Sequence, residues 1–298
     1  MTINWYPGHM TKTRRLILEE LKGIDIIVEL VDARIPRASK NPDLEDILKD
    51  KSRIIILNKN DLSDPIQNKL WIEYYKSIGF SAISFNSKNV KDKEIFYDVV
   101  KTVYAEKEER NIQRGMVGKN ARIMVLGIPN VGKSTFINKL SGSVRAKAED
   151  RPGVTRGKQW ISLPNGIDML DMPGILWPKL TNQKAAERLA ITGAIKDAVV
   201  DIESLAMCLL EILSESYANL LVNRYKIDVN DAKIEDKYEL LKIIGKKRGF
   251  IIAKGEIDTL RAANILIDEF RAGILGKISL ETVAQFGKNE ELNENNEL

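Results

Sequence analysis

Gly127-Ile128-Pro129-Asn130-Val131-Gly132-Lys133-Ser134-Thr135 fits G-x-x-x-x-G-K-[ST] and stands between an expected strand at residues 122–126 and a helix-forming stretch. A strand, a glycine-rich turn and a helix in that order are what a phosphate-cradling loop needs. The glycines let backbone N–H groups turn inward on phosphate oxygens. Lys133 can reach the β and γ oxygens, and the Ser134 hydroxyl can ligate Mg²⁺. The expected contacts here are Asn130, Val131, Gly132, Lys133, Ser134 and Thr135. This loop specifies a nucleoside triphosphate and is silent on the base.

The base is read upstream. Asn58-Lys59-Asn60-Asp61 fits N-K-x-D and follows a second expected buried strand, residues 53–57. A carboxylate at Asp61 accepts both the ring N–H and the exocyclic amine of guanine. Adenine lacks that donor pair, and leaving a buried polar group unpaired can cost on the order of 10⁴-fold in discrimination. Asn58 would tie this loop to the phosphate loop, and the Lys59 stem would lie on the purine face. Alone, four polar residues after a strand make a common turn; the phosphate loop gives them weight. Asn86-Ser87-Lys88, after an expected strand at 81–85, offers the Ser87 backbone N–H to the guanine carbonyl. That tripeptide is unspecific and depends on its position.

Downstream, Asp171-Met172-Pro173-Gly174 fits D-x-x-G after a strand at 167–170. Asp171 would hold Mg²⁺ through water, and the Gly174 N–H would meet the γ-phosphate. Thr155, in the glycine-flanked segment 152–157, is the candidate for a second hydroxyl on Mg²⁺. As a lone loop threonine it would be structural; the surrounding motifs favour a ligand. Both segments should be ordered by the γ-phosphate and released on hydrolysis.

Elements alternate through the first part of the chain: helix 12–22, strand 24–31, a helix start at Asn41-Pro42-Asp43, strand 53–57, helix 65–77, strand 81–85 and helix 92–110. A polar linker, residues 111–120, leads to strand 122–126. This is the signature of an α/β fold with a doubly wound, mostly parallel sheet. Residues 183–274 have apolar side chains at helical spacing, as in Leu205, Leu209, Ile212 and Leu213, and predict a smaller all-α C-terminal domain. The expected domains are 1–178, 179–285 and an acidic, disordered tail at 286–298.

At 298 residues the chain has room for both domains, with 44% hydrophobic and 30% charged residues. A net charge of +4 is compatible with a nucleic-acid partner without demanding one. The single cysteine, Cys208, cannot form an internal disulfide. The N-terminus lacks a signal-peptide core and no run reaches the ~18 apolar residues of a membrane span, so a cytoplasmic protein is expected.

In ordinary GTPases the phosphate loop precedes the switches and N-K-x-D comes last. Here N-K-x-D comes first, a circular permutation. A sheet's core depends on which strands are neighbours and not on where the chain is cut, so the site can survive. The linker at 111–120 joins ends that would otherwise be free, and D-x-x-G leads directly into the C-terminal domain.

With this order, Asn4-Trp5-Tyr6-Pro7-Gly8-His9-Met10, Val31-Asp32-Ala33-Arg34-Ile35-Pro36 and the segment from Asp171 to Lys179, the chain resembles the circularly permuted GTPases of the ribosome biogenesis GTPase A (YlqF) family. The likeness is specific over residues 4–179 and weaker beyond. It implies binding of GTP and GDP with Mg²⁺, and a large ribosomal subunit precursor with its rRNA as partner. It also implies hydrolysis stimulated by that particle and release when maturation is complete. No membrane or DNA partner is expected, and the chain is read as a monomer. Ile175 stands where many GTPases carry a water-orienting glutamine, and the resemblance gives that role to His9, the only histidine. His9, Lys133 and Gly174 are thus the catalytic candidates. In related GTPases an asparagine at the place of Asn130 coordinates K⁺, which makes K⁺ a candidate cofactor.

Candidate RNA contacts are Lys246-Lys247-Arg248, with Arg224, Lys226, Lys237 and Lys242, and a second group of Lys12, Arg14 and Arg15. Interleaved acids leave a solvated face open as the alternative. A nucleotide-gated RNA-binding scaffold with incidental hydrolysis is the competing reading, while Asp61 disfavours an ATPase or small-molecule kinase.

Overall fold

The structure, a computed structural model, describes residues 10–87, 89, 91–142, 158–174, 176 and 182–285. Strands β1 (Ile26–Asp32), β2 (Ser52–Asn58), β3 (Ser81–Phe85), β4 (Ala121–Gly127), β5 (Gln159–Leu163) and β6 (Ile167–Asp171) form one sheet in the order β3-β2-β1-β4-β6-β5. Every neighbouring pair is parallel except β5 with β6. The order falls into two halves, β1 to β3 and β4 to β6, that meet where β1 runs beside β4 from Ile26↔Ile123 to Leu30↔Gly127. Each half is continuous in sequence, so exchanging their order changes no strand neighbour. The permuted motif order is thereby compatible with an intact sheet.

Helices cover both faces, as a buried parallel sheet requires. α1 (Met10–Glu20) and α2 (Glu45–Leu48) cover Ile27, Met124, Leu126 and Leu170, and α3 (Pro65–Ser77) sets Trp71 and Tyr75 against Val31, Ile55 and Leu57. On the other face, α4 (Lys91–Gln113) and α5 (Lys133–Ser141) bring Phe96 and Phe136 edge-on to one another, and Phe136 edge-on to Phe85. α3 begins where the sequence says it should: Pro65 takes the first helical position and the Asp64 carboxylate accepts from the Ile66 N–H at 2.8 Å. α4 runs to Gln113, three residues beyond the expected end, which shortens the linker.

β5 is an element that the strand pattern read from sequence omitted. It returns antiparallel to β6 through Pro164, Asn165 and Gly166, the last two at φ 62 and 67. Positive φ at both central positions is the turn geometry that matches strand twist and favours Asn-Gly.

The described chain divides into two compact units. One comprises residues 10–176 together with 281–285; the other comprises 182–280. The second is helical: α6 (Gln183–Ile191), α7 (Ile202–Ser216), α8 (Ala218–Tyr225), α9 (Val229–Ala232), α10 (Lys237–Lys247) and α11 (Thr259–Arg271). Leu205, Leu209 and Leu213 of α7 are fully buried, as are Leu240 of α10 and Leu266 of α11. Gly245 has no side chain because a Cβ there would lie 2.6 Å from Ile257 Cγ2.

Where sequence reading ran the helical domain to residue 285, the chain leaves it at Glu281 and rejoins the sheet unit. The Glu281 carboxylate accepts the Arg37 N–H at 2.7 Å and the Ala38 N–H at 3.2 Å, its carbonyl accepts the Trp71 indole N–H at 3.3 Å, and Val283 packs on the Trp71 cluster. Among the described residues, no single helix is long and apolar enough to cross a membrane.

Candidate functional site

The carboxyl ends of β1, β2, β4 and β6 meet at the place where strand order reverses, the crevice in which open α/β sheets bind ligands. β4 delivers Gly127, whose neighbours leave no room for a side chain: a Cβ would lie 2.9 Å from Val131 Cγ1. Asn130 (φ 58) and Gly132 (φ 91) then turn the chain back on itself. The first helical hydrogen bond of α5 runs from the Phe136 N–H to Gly132 O at 2.9 Å. The N–H groups just before it head the helix, where an anion is favoured. Ser134 is half-buried on this turn and Thr135 is exposed.

The base-reading candidates touch this loop directly. Asn58 Nδ2 donates to Val131 O at 2.8 Å, and Lys59 Nζ donates to Asn130 O at 2.5 Å. Gly132 permits the first contact, since a Cβ there would stand 2.6 Å from Asn58 Nδ2. Lys59 is held at φ 59, a conformation that non-glycine residues rarely adopt. Asp61 follows, half-buried, on a turn closed by the Leu62 N–H to Lys59 O at 2.9 Å. The third loop approaches through the Asn60 N–H and Phe85 O, 3.5 Å apart. Asn86 and Ser87 lie on it, shaped by buried Asp92, whose carboxylate accepts the Asn86 N–H and Asn89 Nδ2, both at 2.7 Å.

On the phosphate side, Lys133 is paired with Asp171 across α5 and β6, with both side chains buried. Burial pulls the Lys133 ammonium below the usual lysine range, outweighing the upward pull of Asp171. Gly174 packs on the phosphate loop so closely that a Cβ would lie 3.2 Å from Pro129 N. The D-x-x-G segment is thereby set against the loop it is expected to work with. His9, Lys88 and Thr155 lie outside the described residues.

Sequence reading assigned no role to two residues at the rim. Asp32, at the end of β1, is bound by the Arg34 guanidinium through Nε to Oδ1 at 2.9 Å and Nη2 to Oδ2 at 2.8 Å. Burial alone would raise the Asp32 pKa. The charges of Arg34 and then Lys59, with the hydrogen bonds of Arg34, outweigh it and hold the carboxyl far below the usual range. The signal was the D-x-R spacing itself, which lets a side chain fold back on the carboxylate two residues earlier.

In the helical unit the basic candidates separate. Arg224 and Arg248 both face Glu269, and Lys242 pairs with Glu239 at 2.6 Å, whereas Lys246 and Lys247 are exposed on the last turn of α10. At the other group, Arg14 and Arg15 are exposed, and Arg15 pairs with Glu19 at 3.1 Å. Cys208 is half-buried, and burial pushes its thiol up to about 11.

The profile of a family described as 50S ribosome-binding GTPase matches residues 122–253, starting at β4 and leaving the N-K-x-D stretch outside. Ribosome biogenesis GTPase A of Bacillus cereus is 42% identical over 291 residues, spanning 98% of this chain and 97% of that protein. Its counterpart in Thermotoga maritima is 30% identical over 94% of each chain. A solved structure titled as GDP-bound TM YlqF superposes with a TM-score of 0.66 at 26% identity, covering 90% of this chain and 99% of that one.

Proposed function

The chain belongs to the ribosome biogenesis GTPase A family, and from that premise we propose that it binds GTP with Mg²⁺ in this crevice and hydrolyses it during late maturation of the large ribosomal subunit. The chain is a GTPase with its motifs in circularly permuted order, and it acts in ribosome assembly. The observation that supports the site assignment best is the bond from Asn58 Nδ2 to Val131 O, which ties the proposed base-reading loop to the proposed phosphate loop.

In this reading Asp61 pairs with guanine, Lys59 lies under the purine, and the Ser87 N–H meets the base carbonyl. Lys133 exchanges Asp171 for the β and γ oxygens, where its charge matters most as negative charge spreads in the transition state. Val131, Gly132 and Thr135 present backbone N–H groups to the phosphates, and Gly174 does so for the γ-phosphate.

The Ser134 hydroxyl and the Asp171 carboxylate are hard oxygen donors at the loop's mouth. Such a pair suits Mg²⁺, which keeps several waters and takes its remaining ligands from phosphate. Bound there, Mg²⁺ would neutralise charge between the β and γ phosphates; Thr155 would add a second hydroxyl. Asn130 is the candidate ligand for K⁺, and His9 the group that orients the attacking water. Lys246 and Lys247, with Lys226, are the groups offered to rRNA phosphates. The protein works as a monomer in the cytoplasm on a large-subunit precursor.

Phosphate release measured with and without purified large-subunit precursor tests this. Turnover should rise on the particle, and His9→Ala should abolish the rise while leaving GTP affinity unchanged. Equal turnover with and without the particle overturns the enzyme reading in favour of a nucleotide-gated scaffold. Faster turnover in KCl than in NaCl is expected if Asn130 holds K⁺.

A further inference from the structure

We infer that Asp32 positions the base-reading lysine, Lys59, and that Arg34 is the rigid counter-ion that fixes the Asp32 carboxylate for this purpose. The inference rests on residues 58–61 being the base reader. It gives a task to Val31-Asp32-Ala33-Arg34-Ile35-Pro36, a stretch that hydrolysis as outlined above does not use.

β1 places Asp32 directly across from Asn58 in the parallel register. Oδ2 of Asp32 stands 3.3 Å from Lys59 Nζ, and the same ammonium donates to Asn130 O in the phosphate loop. The lysine is thus pinned between two loops by its charged end. A lysine stem has four rotatable bonds and, unanchored, populates many rotamers. Holding the ammonium fixes the line of the stem on which a purine would lie.

The carboxylate is itself held from several directions. Arg34 occupies both oxygens with its planar fork, a geometry that a lysine cannot reproduce. The Arg34 N–H adds a bond to Oδ1 at 3.0 Å, and Ser39 Oγ accepts the Asp32 N–H at 3.0 Å. The Ala33 N–H donates to Asn58 O at 2.9 Å, which ties the turn to the base-reading loop's own backbone. Arg34 and Asp32 side chains are 1% and 3% exposed, so solvent cannot substitute for either. A salt bridge that only closed the turn after β1 would be complete with Arg34 alone. Here Oδ2 also faces the ammonium of Lys59, the residue that follows the neighbouring strand β2.

The test is a titration of fluorescent GDP against folded wild type, Asp32→Asn, Arg34→Lys, Lys59→Met, the double variant Asp32→Asn/Lys59→Met, and Asp61→Asn, with melting temperature recorded for each. Asp32→Asn should weaken GDP binding by about tenfold or more, as expected for a close buried charge pair. Arg34→Lys, which keeps both charges and loses the fork, should weaken it by about threefold. In the Lys59→Met background, Asp32→Asn should add no more than about twofold, because the group it positions is gone. Wild-type affinity in folded Asp32→Asn, or a full additional loss on top of Lys59→Met, overturns the inference. Should Asp32→Asn not fold, wild-type affinity in Arg34→Lys does so. Asp61→Asn separates the two levels: it should shift preference from guanine to xanthine nucleotides. If it leaves GDP binding intact, the base-reader assignment fails and the inference with it. If it behaves as stated while Asp32→Asn binds GDP like wild type, only the inference fails.

Discussion

Two buried aspartates flank the phosphate loop, and they are held in opposite ways. On the base side, Asp32 is gripped through both oxygens by an arginine two residues away, inside one turn of chain. On the phosphate side, Asp171 meets a single lysine from a different element. A planar guanidinium fork fixes direction as well as charge, whereas an ammonium is a point charge with interchangeable donors. The first arrangement suits a part that must not move. The second suits one whose partners are to be exchanged, as the proposed binding of phosphate by Lys133 and of Mg²⁺ by Asp171 requires.

The comparison can be broken most decisively from the base side. Arg34→Met should leave the Asp32 charge buried with only the more distant Lys59, costing about 3–5 kcal/mol of stability, seen as a lower urea midpoint at unchanged slope. A smaller loss, equal to that of an exposed pair, would mean Asp32 is hydrated after all. On the phosphate side, Lys133→Met should lower GTP turnover by about 10²–10³-fold, in the range found when one transition-state charge contact is removed. Single-turnover phosphate release reads it; normal turnover would deny Lys133 its role.

Acid sharpens the contrast. Asp32 titrates below its ordinary value of 3.8 when folded, so its contribution is fully present above that value and is lost as pH falls through the depressed folded pKa. Acid unfolding followed by circular dichroism should therefore show the Asp32 contribution vanishing only below about pH 4. Arg34→Met, which removes the main cause of the depression, should move the acid midpoint upward. Glu281→Gln tests the turn beneath this pair: weakening the bonds to Arg37 and Ala38 should cost about 1–2 kcal/mol in urea unfolding. Gly166→Ala, at φ +67 in the β5–β6 hairpin, should cost about 1 kcal/mol and leave GDP affinity unchanged.

Legibility followed the range of the interactions. α3 and β3 were read to their last residues because Asp64-Pro65 and the strand's flanks announce them locally. The G-x-x-x-x-G-K-[ST] and N-K-x-D segments lie where their patterns put them, between β4 and α5 and at the end of β2, because each is a short pattern with a fixed neighbour. β5 was missed although its signals were present, an Asn-Gly turn and buried Ile161 and Leu163 alternating with exposed Trp160. The strand is five residues long and includes polar Gln159 and Ser162, so it lacks the continuous apolar run that marks β2 and β4. Glu281 was beyond reach in principle. Its carboxylate serves backbone N–H groups 244 and 243 residues away in the chain. No composition or spacing encodes such a pairing.

The return of residues 281–285 to the sheet unit bears on how the protein can be dissected. A chain stopped before Glu281 would not be a trimmed nucleotide domain; it would uncover Trp71 and leave the Arg37 and Ala38 amides without their acceptor. Protease nicking at one junction would leave the fragments attached by noncovalent packing, so a denaturing gel and a sizing column should disagree about the same sample. In chain order the helical portion is an insertion, because residues 182–280 stand between two segments, 10–176 and 281–285, of the sheet unit.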